Sequence, residues 1–195
     1  ALAREQARDA LLAYAAGAVL APQSRFVDRA AELRYDVEAL AQSFAVSMDL
    51  VCHRLTALPQ GDGVPRFGYF CANAAGTIIA TRSLPGLVTP RYASACPLWV
   101  LYRAQQSPDT VIRQRTLFPT GARFVFVARA RHTGGLTGFG KPRHYVTDML
   151  AMSEQDAAFT VYAPDSAVPV EPVGSTCLSC PRRDCAQRVA DPIAG

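Results

Sequence analysis

Residues 3–20 place Ala and Leu at helical spacing, and the run stops at Ala21-Pro22, where proline ends a helix. A second helix is predicted over 23–34. Residues 36–58, "DVEALAQSFAVSMDLVCHRLTAL", read as a helix, a turn at Ala45-Val46 and a further helix capped by Ser47. That pair has the outline of a helix-turn-helix. Its second helix offers only His53 and Arg54 as polar reach, however, and the segment is net acidic. Phosphate contacts dominate DNA affinity, so the pair is read as packing helices.

Gly, Asp and Pro crowd together in "PQGDGVP" at 59–65 and break the helical texture. Beyond them the period shortens to two. "RFGYFCA" and "TIIATR" predict a hairpin about 73–76, and "TVIRQRTLF" with "ARFVFVARA" a second about 119–121. Between them "ACPLWVLYRAQQ" predicts a helix with Pro97 in its first turn. In the last strand Phe124, Phe126, Ala128 and Ala130 share one face; Arg123, Val125, Val127, Arg129 and Arg131 share the other. A glycine-rich loop at 132–142 is expected to be mobile, and "RHYVTDMLAM" is a fifth strand. Ser153 and Asp156 have the spacing to cap a short helix to about residue 163.

This order predicts an α+β fold, in which an N-terminal helical segment is followed by a GAF/PAS-like antiparallel sheet with helices on one side and a cysteine-rich C-terminal tail. The expected division is 1–58, helical; 59–163, the sheet domain; and 164–195, a Pro-rich tether with the cysteine tail.

Composition narrows the class. Half of the 195 residues are hydrophobic, which suits a globular chain. No apolar run reaches the roughly 18 residues that a membrane span needs, and the early apolar stretch lacks a signal-peptide layout, so a cytoplasmic protein is expected. The chain begins with Ala, as a piece of a longer protein would. Its net charge of +4 is uneven: between Arg82 and Arg143 stand ten basic residues and one acid, Asp109. All the basic residues but Lys141 are arginines, whose planar fork suits phosphate and carboxylate. An anionic, phosphorylated ligand fits that bias, as does a plain soluble face.

Three of the six cysteines lie within "GSTCLSCPRRDCAQR", residues 174–188, at the spacing C-x2-C-x4-C. So short a tail has no core of its own, and a bound metal or cluster would stabilise it. Cys52 and Cys71 sit in apolar patterns and read as small core hydrophobes. Cys96 precedes Pro97 at a predicted helix start, where free N–H groups favour a thiolate, and is the expected fourth ligand beside Cys177, Cys180 and Cys185. Spacing alone leaves zinc and an iron–sulfur cluster both open; a disulfide framework is disfavoured. His53, His132 and His144 stand far apart, and no H-E-x-x-H, G-x-S-x-G or P-loop motif occurs, so no enzyme is expected.

"YDVEALAQSFAVSMDLVCHRLTAL", "SACPLWVLYRAQQSPDTVIRQ" and the cysteine tail together resemble the C-terminal half of the short-chain fatty-acyl transcriptional regulators. These bacterial proteins carry an N-terminal xenobiotic-response-type helix-turn-helix and an IrrE-like middle segment. The resemblance implies a sensor that binds a short-chain acyl-CoA and a [4Fe–4S] cluster, the latter on Cys96, Cys177, Cys180 and Cys185. It implies DNA contact only through an N-terminal domain absent from these residues; since regulators that read palindromic sites are usually dimers, a homodimer is expected. One departure is Leu178, where the family commonly has arginine. Coenzyme A would want several arginines; strand parity nominates Arg113, Arg115, Arg123 and Arg129, with Lys141 and Arg143 beside the glycine loop. A small dry acyl pocket is expected under Trp99, Tyr69 or Phe126. Zinc holding a DNA- or protein-binding module is the alternative.

Overall fold

The computed structural model describes residues 4, 8, 12, 15–89, 94–134, 139–140 and 143–193. After a helical stretch at 15–20 come α1 (Gln23–Glu32), α2 (Val37–Phe44) and α3 (Met48–Leu55). Asp36 starts α2 by accepting from the backbone N–H groups of Glu38 and Ala39 at 3.0 and 3.1 Å. Ala45, at φ 50°, turns the chain toward α3. Ser47 does precede α3, but its side chain makes no capping bond. Arg54, one of the two polar residues of the supposed reading helix, is only 4% exposed and lies over the Phe26 ring at 5.6 Å. This helix faces the core.

The sheet contains β1 (Gly68–Asn73), β2 (Ile78–Arg82), β3 (Ile112–Leu117), β4 (Arg123–Thr133), β5 (His144–Ser153) and β6 (Val170–Pro172). Their spatial order is β2-β1-β5-β4-β3-β6. All neighbours run antiparallel except β6, which lies parallel to β3 with Arg115 opposite Val170. The predicted strands thus all form, and the α+β class holds. The sheet is mixed because the supposed tether supplies its edge strand. Two prolines flank or end that strand, which suits an edge needing few ladder donors.

Layers cover the sheet on both sides, where helices on one side were expected. On one face Val125, Val127, Leu150, Met152, Tyr69 and Cys71 pack against α1–α3. On the other, Phe70, Phe124, Phe126, Ala128, Met149 and Ala151 pack against Trp99, Val100, Leu101 and Cys96. The reason is visible in β4, whose central residues are apolar on both sides and buried on both. A strand with two apolar faces is stable only with two covers.

The predicted helix after Cys96 contracts to α4 (Val100–Arg103) and one 3-10 turn, Ala104–Gln106. Residues 94–99 form irregular turns instead. Gln114 of β3 fixes them: it accepts from Val100 N and donates to Leu98 O, both at 2.8 Å. Its amide also reaches Glu171 of β6 at 2.8 Å. The helix predicted to about residue 163 is likewise a single turn, α5 (Glu154–Ala157), started by Ser153, whose hydroxyl accepts from Asp156 N at 2.9 Å.

Candidate metal centre and ligand-binding surfaces

β6 delivers the tail to the face of the sheet that carries Cys96. Val173 N donates to Leu117 O at 3.0 Å, and Cys96 N to Ser175 O at 2.9 Å. Trp99, wholly buried among Phe70, Phe118 and Phe126, donates its indole N–H to Gly174 O at 2.8 Å. The core aromatic therefore holds the backbone from which the cysteine motif departs. Cys177–Ser179 form a 3-10 turn, closed by Cys180 N donating to Cys177 O at 3.3 Å.

As a result Cys96, Cys177, Cys180 and Cys185 line one small cavity, with Gly174, Arg182 and Arg188 among its other walls. Burial pushes the Cys96 thiol up from its ordinary range, against a downward pull from hydrogen bonds with the backbone of Gly174 and Leu98. Nearby Cys177 and Cys180 push it up further. The expected helix-start lowering does not occur, because α4 begins four residues later, at Val100. Cys52 and Cys71 lie in the core on the opposite face of the sheet. Burial raises both thiols, Cys71 to about 12. The sheet separates them from the tail.

The tail is shaped for close approach at the sulfurs. A Cβ built on Gly174 would meet Cys180 Sγ at 3.0 Å and its Cβ at 3.1 Å, so only glycine leaves this thiol its position. Arg188 gathers the loop by donating to the carbonyls of Cys177, Cys180, Arg182 and Ala190. Arg182 ties it to the sheet at Leu117 O, 2.8 Å away. Among the described residues, no three His, Cys, Asp or Glu side chains are drawn close enough to hold a single metal ion. Tetrahedral zinc, about 2.3 Å from each sulfur, would require sulfurs only about 3.8 Å apart. The donor set, four cysteines around one cavity, is one that either zinc or an iron–sulfur cluster takes.

The arginines nominated for a phosphorylated ligand have other partners. Arg113 donates to Ala163 O at 2.9 Å. Arg115 reaches Glu154 at 2.7 Å, Asp165 O at 2.7 Å and Val168 O at 3.0 Å, clamping α5 and the approach to β6. Arg123 stands 3.8 Å from Glu154, and Arg129 3.2 Å from Asp109. Register pairs Arg113 with Val127 and Arg115 with Val125, so these four share one face but open onto none of the described cavities. Arg143 is exposed, and Lys141 lies outside the described residues. Trp99, Tyr69 and Phe126 are at most 2% exposed and line none of the described cavities.

Two features escaped the sequence reading. A cavity of about 190 Å³ lies between the end of α3 and the β1–β2 edge, where Thr56, Gln60, Arg66 and Ser83 surround Leu55 and Phe67. Arg66 is exposed there. Beneath α3, the fully buried Asp148 accepts from Tyr69 Oη and Arg131 Nε, both at 2.5 Å, while Arg131 also faces Asp49 of α3 at 3.6 Å. Single polar residues inside apolar strands were the available signal for this network.

Comparison with known proteins matches two segments of the chain to family models. Residues 57–195 match the family described as short-chain fatty acyl coenzyme A regulator, C-terminal, and residues 1–56 the IrrE N-terminal-like domain. The chain is 38% identical to a propionyl-CoA carboxylase regulator of Cereibacter sphaeroides over 98% of its length. It is 33% identical to the HTH-type transcriptional regulator PrpR of Mycobacterium tuberculosis over 99%, and 31% to RamB of that organism over 95%. It covers 42% of the first of these relatives and 40% of the other two, about two fifths of their length. A solved Mycobacterium tuberculosis transcriptional regulator superposes with a TM-score of 0.86 at 33% identity, over all of this chain and 60% of that one. Each relative is named as a regulator, not as a catalyst.

Proposed function

The chain belongs to the short-chain fatty acyl coenzyme A regulator family, and from that premise we propose that it is the sensing region of a cytoplasmic bacterial transcription regulator that binds a short-chain acyl-CoA and a [4Fe–4S] cluster. The observation that carries the reading is the meeting of Cys96, on the loop before α4, with Cys177, Cys180 and Cys185 of the tail around one cavity. When bound, the cluster supplies a cross-link and a one-electron redox centre. Cys96 would hold it from the loop before α4, and Cys177, Cys180 and Cys185 would hold it from the tail. Gly174 keeps Cys180 in place, and Trp99 transmits any shift of the tail to the aromatic core.

Support for the acyl-CoA comes from the family description and the arginine-rich middle of the chain. Arg66, beside the cavity at the α3–sheet junction, and exposed Arg143 are the side chains suited to phosphate contact. Arg113, Arg115 and Arg129 brace the fold instead. Ligand binding controls DNA through the helical segment only if the two states of the regulator differ in affinity for it. That segment shares a core with the sheet, which gives a route for coupling.

Calorimetry with propionyl-CoA tests the ligand assignment. Saturable binding is expected, weakened roughly tenfold by Arg66→Ala, about the loss of one charge-assisted contact. No heat with propionyl-, acetyl- or free CoA would remove the ligand from the account.

A further inference from the structure

Arginine carries five N–H donors in one rigid plane, and in Arg188 four of them have traceable acceptors. Nη1 donates to Cys177 O at 3.3 Å and Ala190 O at 2.9 Å. Nη2 donates to Cys180 O at 3.0 Å and to Arg182 O. The fifth donor, Nε–H, is buried and has no partner among the described residues. Arg188 is also a wall of the cavity shared by the four cysteines. A buried cationic donor without an acceptor is costly, and native proteins rarely leave one so. What this cavity holds in abundance is sulfur.

We propose that the Nε–H of Arg188 donates a charge-assisted hydrogen bond to a sulfur of the bound cluster, either a bridging sulfide or a ligating thiolate. The inference rests on the cluster reading above. It makes Arg188 a positioning residue with two tasks. Its Nη groups hold the carbonyls of two ligand cysteines, and its Nε meets the centre those cysteines bind. A cluster on four thiolates is anionic, and hydrogen bonds to its sulfurs are among the determinants of its potential. A fixed cation stabilises the reduced form more than the oxidised one, so Arg188 raises the reduction potential. Arg182, the other arginine of the cavity, instead donates to Leu117 O and joins tail to sheet.

The test uses the whole chain, purified without oxygen, labelled with nitrogen-15 at arginine Nε and reduced with dithionite. Pulsed electron paramagnetic resonance then reads hyperfine coupling between the cluster spin and that nitrogen. One resolved coupling is expected, retained in Arg182→Lys and absent in Arg188→Lys, with the potential of Arg188→Lys shifted to more negative values. A loaded wild-type chain without the coupling overturns the inference and leaves the cluster standing. A wild-type chain without iron and sulfide overturns both. Should Arg188→Lys fail to assemble its tail, the wild-type coupling alone decides.

Discussion

Gly174 touches Cys180 closely enough that a single methyl group would have to displace a thiol. Gly174→Ala is therefore expected to lower iron and sulfide per chain at least severalfold, with little change in the far-ultraviolet circular dichroism. Full loading of that variant would show that the glycine is not needed at the centre. His53 offers a pH test on the opposite face. Its ring packs on Tyr69 at 4.5 Å, with Arg82, Asp49, Asp148 and Arg131 around it. Burial, and next Arg82, lower its pKa from the ordinary 6.5, against an upward pull from the two carboxylates. The unfolded chain then binds this proton more readily than the folded one, so stability rises with pH across the window between the two values. The contribution is complete above 6.5 and is lost as the pH falls through the lowered folded value. His53→Gln, which cannot titrate, should flatten the denaturation midpoint over that window; an unchanged slope would assign the dependence elsewhere.

Elements built on alternation were legible before any coordinates: the five antiparallel strands follow a period of two, and Asn73 and Gly121 mark their turns. β6 was not, because its prolines read as a tether, and a parallel edge strand of three residues carries no periodic signal of its own. The helix after Cys96 was overestimated for a related reason. Its apolar run fits a helix, yet Cys96 N and the Leu98–Val100 backbone are bonded to Ser175 and Gln114, partners distant in sequence. Removing one such partner should expose the dependence. Gln114→Leu strands Val100 N and Leu98 O and is expected to cost about 1–3 kcal/mol in urea denaturation. Trp99 fluorescence should shift along with it, since the same turn carries that ring; wild-type stability and emission would mean that water replaces the amide. Strand parity gave the correct face for the arginines but not their function. Parity cannot reveal that Glu154 waits opposite Arg115, or Asp109 opposite Arg129.

At the scale of the whole molecule, two apolar cores share one sheet, with the helical segment on one side and the cysteine tail on the other. This arrangement places a candidate centre and a candidate output surface back to back across β1, β4 and β5. Events at the tail reach Trp99 and Phe126 directly, and the next residues along the same strand, Val125 and Val127, face α1–α3. The cysteine spacing was readable from the sequence, and Cys96 was separable from Cys52 and Cys71 by its surroundings. That the sheet itself divides the two groups of thiols required the fold. The most direct measurement is the iron, sulfide and zinc content of the anaerobically purified chain, taken with its visible spectrum. The account predicts iron and sulfide in equal amounts, about four of each per chain, with a broad brown absorption that is lost in Cys96→Ala and kept in Cys52→Ala. One zinc per chain with no sulfide, or a cluster indifferent to Cys96, would contradict it.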